Sequence, residues 1–441
     1  MNRKLFLYFI IAFSFVPMIT APIIYIITSN FFEAKDIYWV LGSFCALLGF
    51  VLLNWQFILG IKPLSAIFTM DVVATNKLHK WFGMYGLLLI FMHPILVGIE
   101  YLTNRGTNIL TTLSFETPTD VRIAFGKAAI TIIVTTWLTS YVARKYFSFR
   151  TWKRLHLFNF FIIPILFFHA KDLGTFLNST ALIYYFYALQ ILYVFIVIYK
   201  IAEQLGFLRY KFEVTNVSRI THDIVKIDMK PTGIPILPSP GQFIQIQLKP
   251  FGETHPFTIS HYNPDTKEIS ISTKSSGYFS SKLVNLTAGQ KVFISGPFGV
   301  FTKEAYYKRT RKVVMIAGGI GITPFIRMVD AIDRNPQMYD EAILLFGNKT
   351  REDLAFNDYI NSVAAKSNLK FINVLSGEKV KQEGFENGFI TSDLIKKYLK
   401  EDLPNYKFFI CGPPIMMTKM EADLISKGVK RENIMWENFS F

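Results

Sequence analysis

Residues 78–102 read LHKWFGMYGLLLIFMHPILVGIEYL. The stretch is long and apolar enough to cross a bilayer, which takes roughly 20 helical residues, yet it carries His79 and His93. Five other stretches share its length and character: 5–27, 37–61, 123–142, 155–172 and 179–202. The fifth in chain order, LHLFNFFIIPILFFHAKD at 155–172, holds a second pair, His156 and His169. The pattern predicts a bundle of six membrane-spanning helices over residues 1–204.

Composition agrees with this. Of 441 residues, 51% are hydrophobic and 18% charged, below the ~25% charged of soluble domains. Disordered, collagen-like and disulfide-rich secreted classes are excluded. Two cysteines, Cys45 and Cys411, cannot make a disulfide framework, so the second half is expected in a reducing, cytosolic compartment. The net charge of +15 divides into +9 for residues 1–202 and +6 for the rest. In the first part the basic residues gather at alternate loops: Arg3 and Lys4; Lys62, Lys77 and Lys80; Arg144, Lys145, Arg150, Lys153 and Arg154; then Lys200. Positive charge favours the cytoplasmic side. Both termini are therefore expected in the cytoplasm, and the chain in the plasma membrane as a multi-pass protein. The bilayer surface, not nucleic acid, accounts for the basic clusters. A cleaved signal peptide over 5–27 is disfavoured, because Pro17 and Pro22 interrupt the run and its loss would leave an odd number of spans.

Ionisable side chains inside a bilayer are costly and mark function. The third and fifth spans run in the same direction, so His79 lies level with His156 and His93 with His169. Fourteen helical residues rise about 21 Å and leave His79 and His93 roughly 40° apart, on one face. The thirteen-residue spacing of the fifth span is about 140° out of phase by the same arithmetic. Pro164 lies between its histidines and can bend or rewind that helix. Two facing imidazole pairs at two depths suit two stacked haems, each iron held by two histidines. Proton-relay or zinc-binding histidines would not need two levels separated by most of a bilayer. Lys127, inside the fourth span, and Arg122 are candidates for an outer acceptor site; Lys127 would pair with an anionic haem group, hold an anionic product near the outer site, or snorkel to the surface.

From about residue 210 short alternating segments take over. Lys211–Asp228, Phe243–Leu248 and Ile269–Thr273, punctuated by Gly and Pro, predict a small β-barrel over 205–307. Val313–Ala317, Ala342–Phe346, Phe371–Val374 and Phe408–Cys411 are apolar runs separated by helical stretches, which predicts an open parallel α/β sheet over 308–441. The basic boundary Lys308, Arg309, Arg311 and Lys312 reads as a solvated linker. The loop Ala317-Gly318-Gly319-Ile320-Gly321-Ile322-Thr323-Pro324 follows the first apolar strand and opens a helix, where glycines let backbone N–H groups approach a pyrophosphate. Cys411-Gly412-Pro413-Pro414 ends a later strand. His255-Pro256-Phe257-Thr258-Ile259-Ser260 and Lys274-Ser275-Ser276-Gly277-Tyr278-Phe279-Ser280-Ser281 are candidate ring- and phosphate-binding segments, although Ser280 equally suits a helix cap. A terminal aromatic in Trp436-Glu437-Asn438-Phe439-Ser440-Phe441 would stack on a flat cofactor or sit in a core.

In order along the chain, the paired histidines, HPFT, GYFSS, GPFG at 296–299, GGIGITP, CGPP and the near-terminal aromatic resemble the NADPH oxidase and ferric reductase superfamily, with a ferredoxin–NADP reductase-type soluble half. The resemblance implies FAD in the barrel, with His255, Pro256, Phe257, Thr258 and Ser260 near the flavin. It places Lys274, Gly277, Tyr278, Phe279 and Ser280 around its pyrophosphate. His255 stands where many members carry arginine. Phe439, or its rival Phe441, would cover the isoalloxazine. NADPH or NADH would lie on Gly318, Gly319, Gly321, Ile322, Thr323 and Pro324, with Cys411, Gly412, Pro413 and Pro414 at the nicotinamide. Asn348, Lys349 and Arg351 would read the adenosine 2′ position and favour NADPH. The implied activity is electron transfer from NAD(P)H through FAD and two b-type haems to dioxygen outside, yielding superoxide. A ferric chelate is the alternative acceptor. No calcium-binding loop is evident and no extension precedes the first span, so activity is expected without a cytosolic activator.

Overall fold

A computed structural model describes residues 3–29, 37–111, 113–307 and 309–436. Phe439 and Phe441 lie outside the described residues. The chain divides into two units, Met1–Ala202 and Glu203–Phe441.

In the first unit, α1 (Arg3–Ser29) and α2 (Ile37–Gly60) precede the short α3 (Lys62–Phe68), followed by α4 (Val72–Arg105) and α5 (Pro118–Tyr141). The fifth span comprises α6 (Phe149–His156), a 3₁₀ segment at Leu157–Phe161 and α7 (Ile162–Leu173). The short α8 (Thr175–Ser179) leads to α9 (Leu182–Gln204). Among the described residues, six helical stretches are long and apolar enough to cross a membrane, as the sequence predicts.

Helix α5 is the rail on which the fifth span rests. It starts from a capping box in which Thr117 and Asp120 satisfy each other's backbone N–H groups. Arg122, Gly126, Ala129, Ile133, Thr136 and Ser140 follow a 4-3-4-3-4 spacing, which places them on one helical face. Four of these touch the fifth span. The Arg122 carbonyl and Gly126 meet His169, the Thr136 hydroxyl donates to Asn159 Oδ1 at 2.7 Å, and Ser140 Oγ lies 3.3 Å from His156 Nδ1.

The 3₁₀ segment has an identifiable cause. Pro164 has no N–H, so the Phe160 carbonyl four residues earlier loses its helical donor. The Tyr193 hydroxyl of α9 donates to that carbonyl instead. The Ile162 N–H bonds back three residues, to the Asn159 carbonyl, closing the tighter winding.

The second unit holds a barrel and a sheet. Strands β1 (Tyr210–Arg219), β2 (Ile224–Pro231), β3 (Phe243–Gln247), β4 (Thr254–Tyr262), β5 (Ile269–Lys274) and β6 (Lys291–Phe298), with the short α10 (Tyr278–Leu283), close as β1-β2-β5-β4-β3-β6. Strands β7 (Lys312–Gly318), β8 (Glu341–Asn348), β9 (Leu369–Leu375), β10 (Phe385–Asn387), β11 (Lys407–Cys411) and β12 (Ile434–Trp436) form a parallel sheet in the order β10-β9-β8-β7-β11-β12. Helices α11 (Thr323–Arg334), α12 (Asn357–Ala364), α13 (Ser392–Lys396) and α14 (Pro414–Ser426) cover it. Both faces are buried, as parallel sheets require. Val313, Met315 and Ala317 of β7 enter one core with Phe325 and Ile360, while Val314 and Ile316 enter the other with Ile395 and Leu424. Of the basic boundary, Lys308 lies outside the described residues and Arg311 is exposed. The Arg311 guanidinium pairs with Asp340 and donates to the Met338 carbonyl, and Lys312 already begins β7.

Candidate functional sites

The two histidine pairs meet as their levels predict. The ring centres of His79 and His156 are 6.2 Å apart, and those of His93 and His169 are 6.1 Å apart. Two metal–nitrogen bonds of about 2 Å, plus the reach from each ring centre to its nitrogen, require about this gap. The 3₁₀ segment resolves the phase problem of the fifth span. Five residues at about 120° and eight at about 100° put His169 about 40° from His156. That equals the offset between His79 and His93. The rise becomes about 22 Å, against about 21 Å in the third span.

Each ring is oriented through Nδ1. His79 Nδ1 lies 3.2 Å from the Gln56 carbonyl, His93 Nδ1 2.9 Å from that of Gly42, and His169 Nδ1 2.9 Å from that of Arg122. A carbonyl only accepts, so in the neutral ring Nδ1 carries the proton and Nε2 the lone pair. His156 reaches the same state through Ser140. That hydroxyl donates to the Thr136 carbonyl at 2.6 Å and accepts from Trp152 Nε1 at 3.0 Å, leaving an acceptor site for His156. Four rings whose Nδ1–H is fixed, and whose Nε2 has no hydrogen-bond partner among the described residues, suit a metal with outer partners that set the tautomer. The residues fit two bis-histidine haems. Gly126 permits the outer site, since a Cβ there would lie 2.6 Å from His169 Nδ1. A cavity of about 440 Å³ adjoins His93 and His169 and is lined by Phe50, Ile133, Phe186 and Lys127. The Arg122 guanidinium pairs with Asp172 at 2.9 Å, so Arg122 serves His169 through its backbone.

In the barrel, β4 presents His255 and Phe257 to Phe279, with ring centres 4.3 and 6.0 Å apart. Phe279 and Thr258 are buried, and Ser260 is fully buried with its hydroxyl donating to the Ser270 carbonyl at 3.2 Å. Pro256 lies opposite Gln245 in the β3–β4 register. Ser280 acts as a cap, its hydroxyl accepting the Ser276 and Gly277 N–H groups at 3.1 and 2.9 Å. Tyr278 is exposed beneath the Lys282 ammonium. Lys274 pairs with Asp223. Burial opposes ionisation of Asp223, but the Lys274 ammonium and Thr221 hydroxyl outweigh it and hold that carboxyl below its ordinary range.

In the sheet, strand order reverses between β7 and β11, the point where doubly wound sheets bind ligands. The glycine loop and the Cys411–Pro414 turn meet there. A Cβ at Gly321 would collide with the Cys411 carbonyl and lie 2.9 Å from Gly412 Cα. Gly319 has φ of 53° and opens onto free space. Ile322 and Pro324 are buried in the core, and the Thr323 hydroxyl donates to the Ile320 carbonyl at 3.1 Å. Asn348 ends β8 with a buried Nδ2 that has no partner among the described residues. Lys349 is exposed, whereas Arg351 pairs with Glu378 at 3.3 Å and lies over the Phe385 ring.

Residues 45–167 match the family described as ferric reductase like transmembrane component, 209–302 an FAD-binding domain and 315–422 an oxidoreductase NAD-binding domain. This is the architecture of the ferric reductase and NADPH oxidase superfamily. Within it, the soluble half is similar to NADH-cytochrome b5 reductase 1 of Candida glabrata, 26% identical over 50% of this chain and 80% of the relative. It is also similar to NADH-cytochrome b5 reductase 2 of Lodderomyces elongisporus, 31% identical over 34% of this chain and 52% of the relative. The chain thus spans about half the length of the second relative. Among solved structures, the ferredoxin reductase in carbazole 1,9a-dioxygenase is 25% identical, with a TM-score of 0.46 over 53% of this chain and 69% of the other. The chain is a multi-pass membrane oxidoreductase with FAD- and NAD-binding domains.

Sequence reading passed over the groups that orient the imidazoles. Three are backbone carbonyls, which no side chain advertises. Ser140 and Gly126 do carry a signal, being small residues at helical spacing on the face of α5 that meets the histidines.

Proposed function

We propose that this chain carries electrons across the plasma membrane from cytosolic NADPH, or NADH, to dioxygen outside, yielding superoxide, with FAD and two bis-histidine b-type haems as its cofactors. The observation that supports this reading best is the pair of histidine couples 6.2 and 6.1 Å apart. Bound flavin and haem would supply the conversion of a two-electron donor into single-electron steps. The protein's own part is placement. The Gly318–Pro324 loop and the Cys411–Pro414 turn receive the nucleotide at the switch point. The Gln56, Gly42 and Arg122 carbonyls and the Ser140 hydroxyl hold the four Nδ1 atoms and leave each Nε2 for a metal. His79 and His156 would hold the inner haem and His93 and His169 the outer one, and the bound haems would supply single electrons to the acceptor. Lys127, lining the outer cavity, supplies positive charge for an anionic acceptor or product. Both termini lie in the cytoplasm.

The test is one purified sample, examined optically before and after NADPH, with and without oxygen. Low-spin haem bands that are reduced by NADPH and reoxidised by air, with cytochrome c reduction sensitive to superoxide dismutase, are expected. Anaerobic reduction of a ferric chelate with no dismutase-sensitive signal in air would make a ferric chelate the acceptor. Absence of haem would end the reading.

A further inference from the structure

The structure assigns Tyr193 and Asn159 as positioning residues that set the winding of the fifth span and thereby bring His156 and His169 onto one face. The inference rests on the haem reading above and deepens it. Among the described residues, neither makes a side-chain hydrogen bond to an imidazole.

His156 and His169 lie thirteen residues apart, one fewer than His79 and His93 in the third span. Wound as a continuous α-helix, that spacing turns His169 about 140° from the face of His156. Five residues of 3₁₀ winding add about 100° of twist and remove the mismatch. A 3₁₀ run of this length is uncommon and needs support from its surroundings. Pro164 explains why the α-form is disfavoured, because it denies the Phe160 carbonyl its donor. It does not explain why the tight form is favoured.

Two contacts from neighbouring helices supply that. The Tyr193 hydroxyl donates to the orphaned Phe160 carbonyl, and Phe57 packs on both rings, with centres 5.1 Å from Tyr193 and 5.2 Å from Phe160. On the opposite side Thr136 donates to Asn159 Oδ1 at 2.7 Å. Tyr193 is buried, 4% exposed, so its hydroxyl has little access to water as an alternative partner. The segment is therefore clamped from α9 and α5 at adjacent residues, between the two metal levels.

The experiment uses the full chain purified with its haem and compares Tyr193→Phe, Asn159→Ala and Pro164→Ala with the parent. Haem per flavin, the low-spin electron paramagnetic resonance signals and the midpoint potentials are read alongside thermal stability. Tyr193→Phe keeps the ring on Phe57 but removes the donor. It is expected to turn part of the low-spin haem high-spin or to lower haem per flavin, and Asn159→Ala should do the same. Pro164→Ala separates register from stability. It restores an N–H to the Phe160 carbonyl, so a merely structural clamp predicts equal or greater stability with unchanged haem. Setting the register predicts lost or shifted low-spin haem despite retained stability. Should Tyr193→Phe fail to fold, the other two variants decide. A parent with two low-spin haems whose spin state, stoichiometry and potentials survive all three changes overturns the inference. A parent without haem overturns the function proposed above instead.

Discussion

The imidazole of His169 lies against Gly126 of α5, close enough that a Cβ on that residue would stand 2.6 Å from its Nδ1 and Cε1. The same Nδ1 meets the Arg122 carbonyl one turn earlier. A side chain at 126 must push the ring off its carbonyl and away from His93. Gly126→Val is expected to remove the outer haem and spare the inner one, leaving roughly half the haem absorbance per flavin. Redox titration of the remaining haem checks it. Retention of both haems would show that α5 yields where the ring does not.

The inner level differs from the outer in one anchor. His156 relies on Ser140, a side chain, where the other three use backbone carbonyls. It is therefore the position where an outer partner can be deleted by a side-chain substitution. Ser140→Ala leaves Trp152 Nε1 and His156 Nδ1 without their shared acceptor. It is expected to weaken inner haem retention by about 10-fold or more, the range for lost outer-shell partners. Haem transfer to an apoprotein scavenger gives the measurement.

These two expectations mark what the sequence made legible. The four histidines and their pairing by level could be read, because ionisable residues are rare in apolar spans. The winding that aligns His156 with His169 could not. Pro164 announced an irregularity, but a 3₁₀ run differs from α by only about 20° per residue, and Tyr193 and Asn159 come from distant or unremarkable positions. The sheet was legible from its apolar runs. In the barrel, β6 went unread because Gly296 and Pro297 break its alternation, and Lys291 opens it with a charge. Ser280 could be either phosphate ligand or cap until its hydroxyl was found accepting two backbone N–H groups.

At the nucleotide site the close approach is between backbones. Gly321 has no room for a side chain against Cys411 and Gly412. Gly321→Ala must separate the glycine loop from the Cys411–Pro414 turn while leaving the barrel untouched. Flavin content should stay near that of the parent, and KM for the nucleotide should rise about 10-fold or more, equivalent to ~1.4 kcal/mol. Equal KM values would mean that the nucleotide does not bridge the two segments.

Lys62, between the second and third spans, gives a pH dependence with a defined sign. Burial, reinforced by the neighbouring Lys153, pushes its pKa from 10.5 down to about 8. Between those values the unfolded chain holds the proton more tightly, so this residue's contribution to stability rises as pH climbs from 8 towards 10.5. Below that window the half-buried ammonium is a standing cost. Lys62→Met is expected to raise the melting temperature at neutral pH, with the gain shrinking through the window. A gain that does not change with pH would place the lysine in water.

Arg351 does not stand free to greet a 2′-phosphate, because Glu378 already accepts its guanidinium at 3.3 Å and Phe385 lies beneath it. If Arg351 reads the 2′ position, a phosphate must compete with that carboxylate. Glu378→Gln should then tighten NADPH relative to NADH, and Arg351→Ala should weaken NADPH about 10-fold while leaving NADH nearly unchanged, as loss of a charge-assisted phosphate contact would. The preference of the parent should also fall as salt rises, since a phosphate contact at this half-exposed guanidinium would be screened. Steady-state KM values for both nucleotides, at two ionic strengths, decide the matter. Equal losses for NADPH and NADH in Arg351→Ala would make the arginine a support for the loop through Glu378 and not a reader of the phosphate.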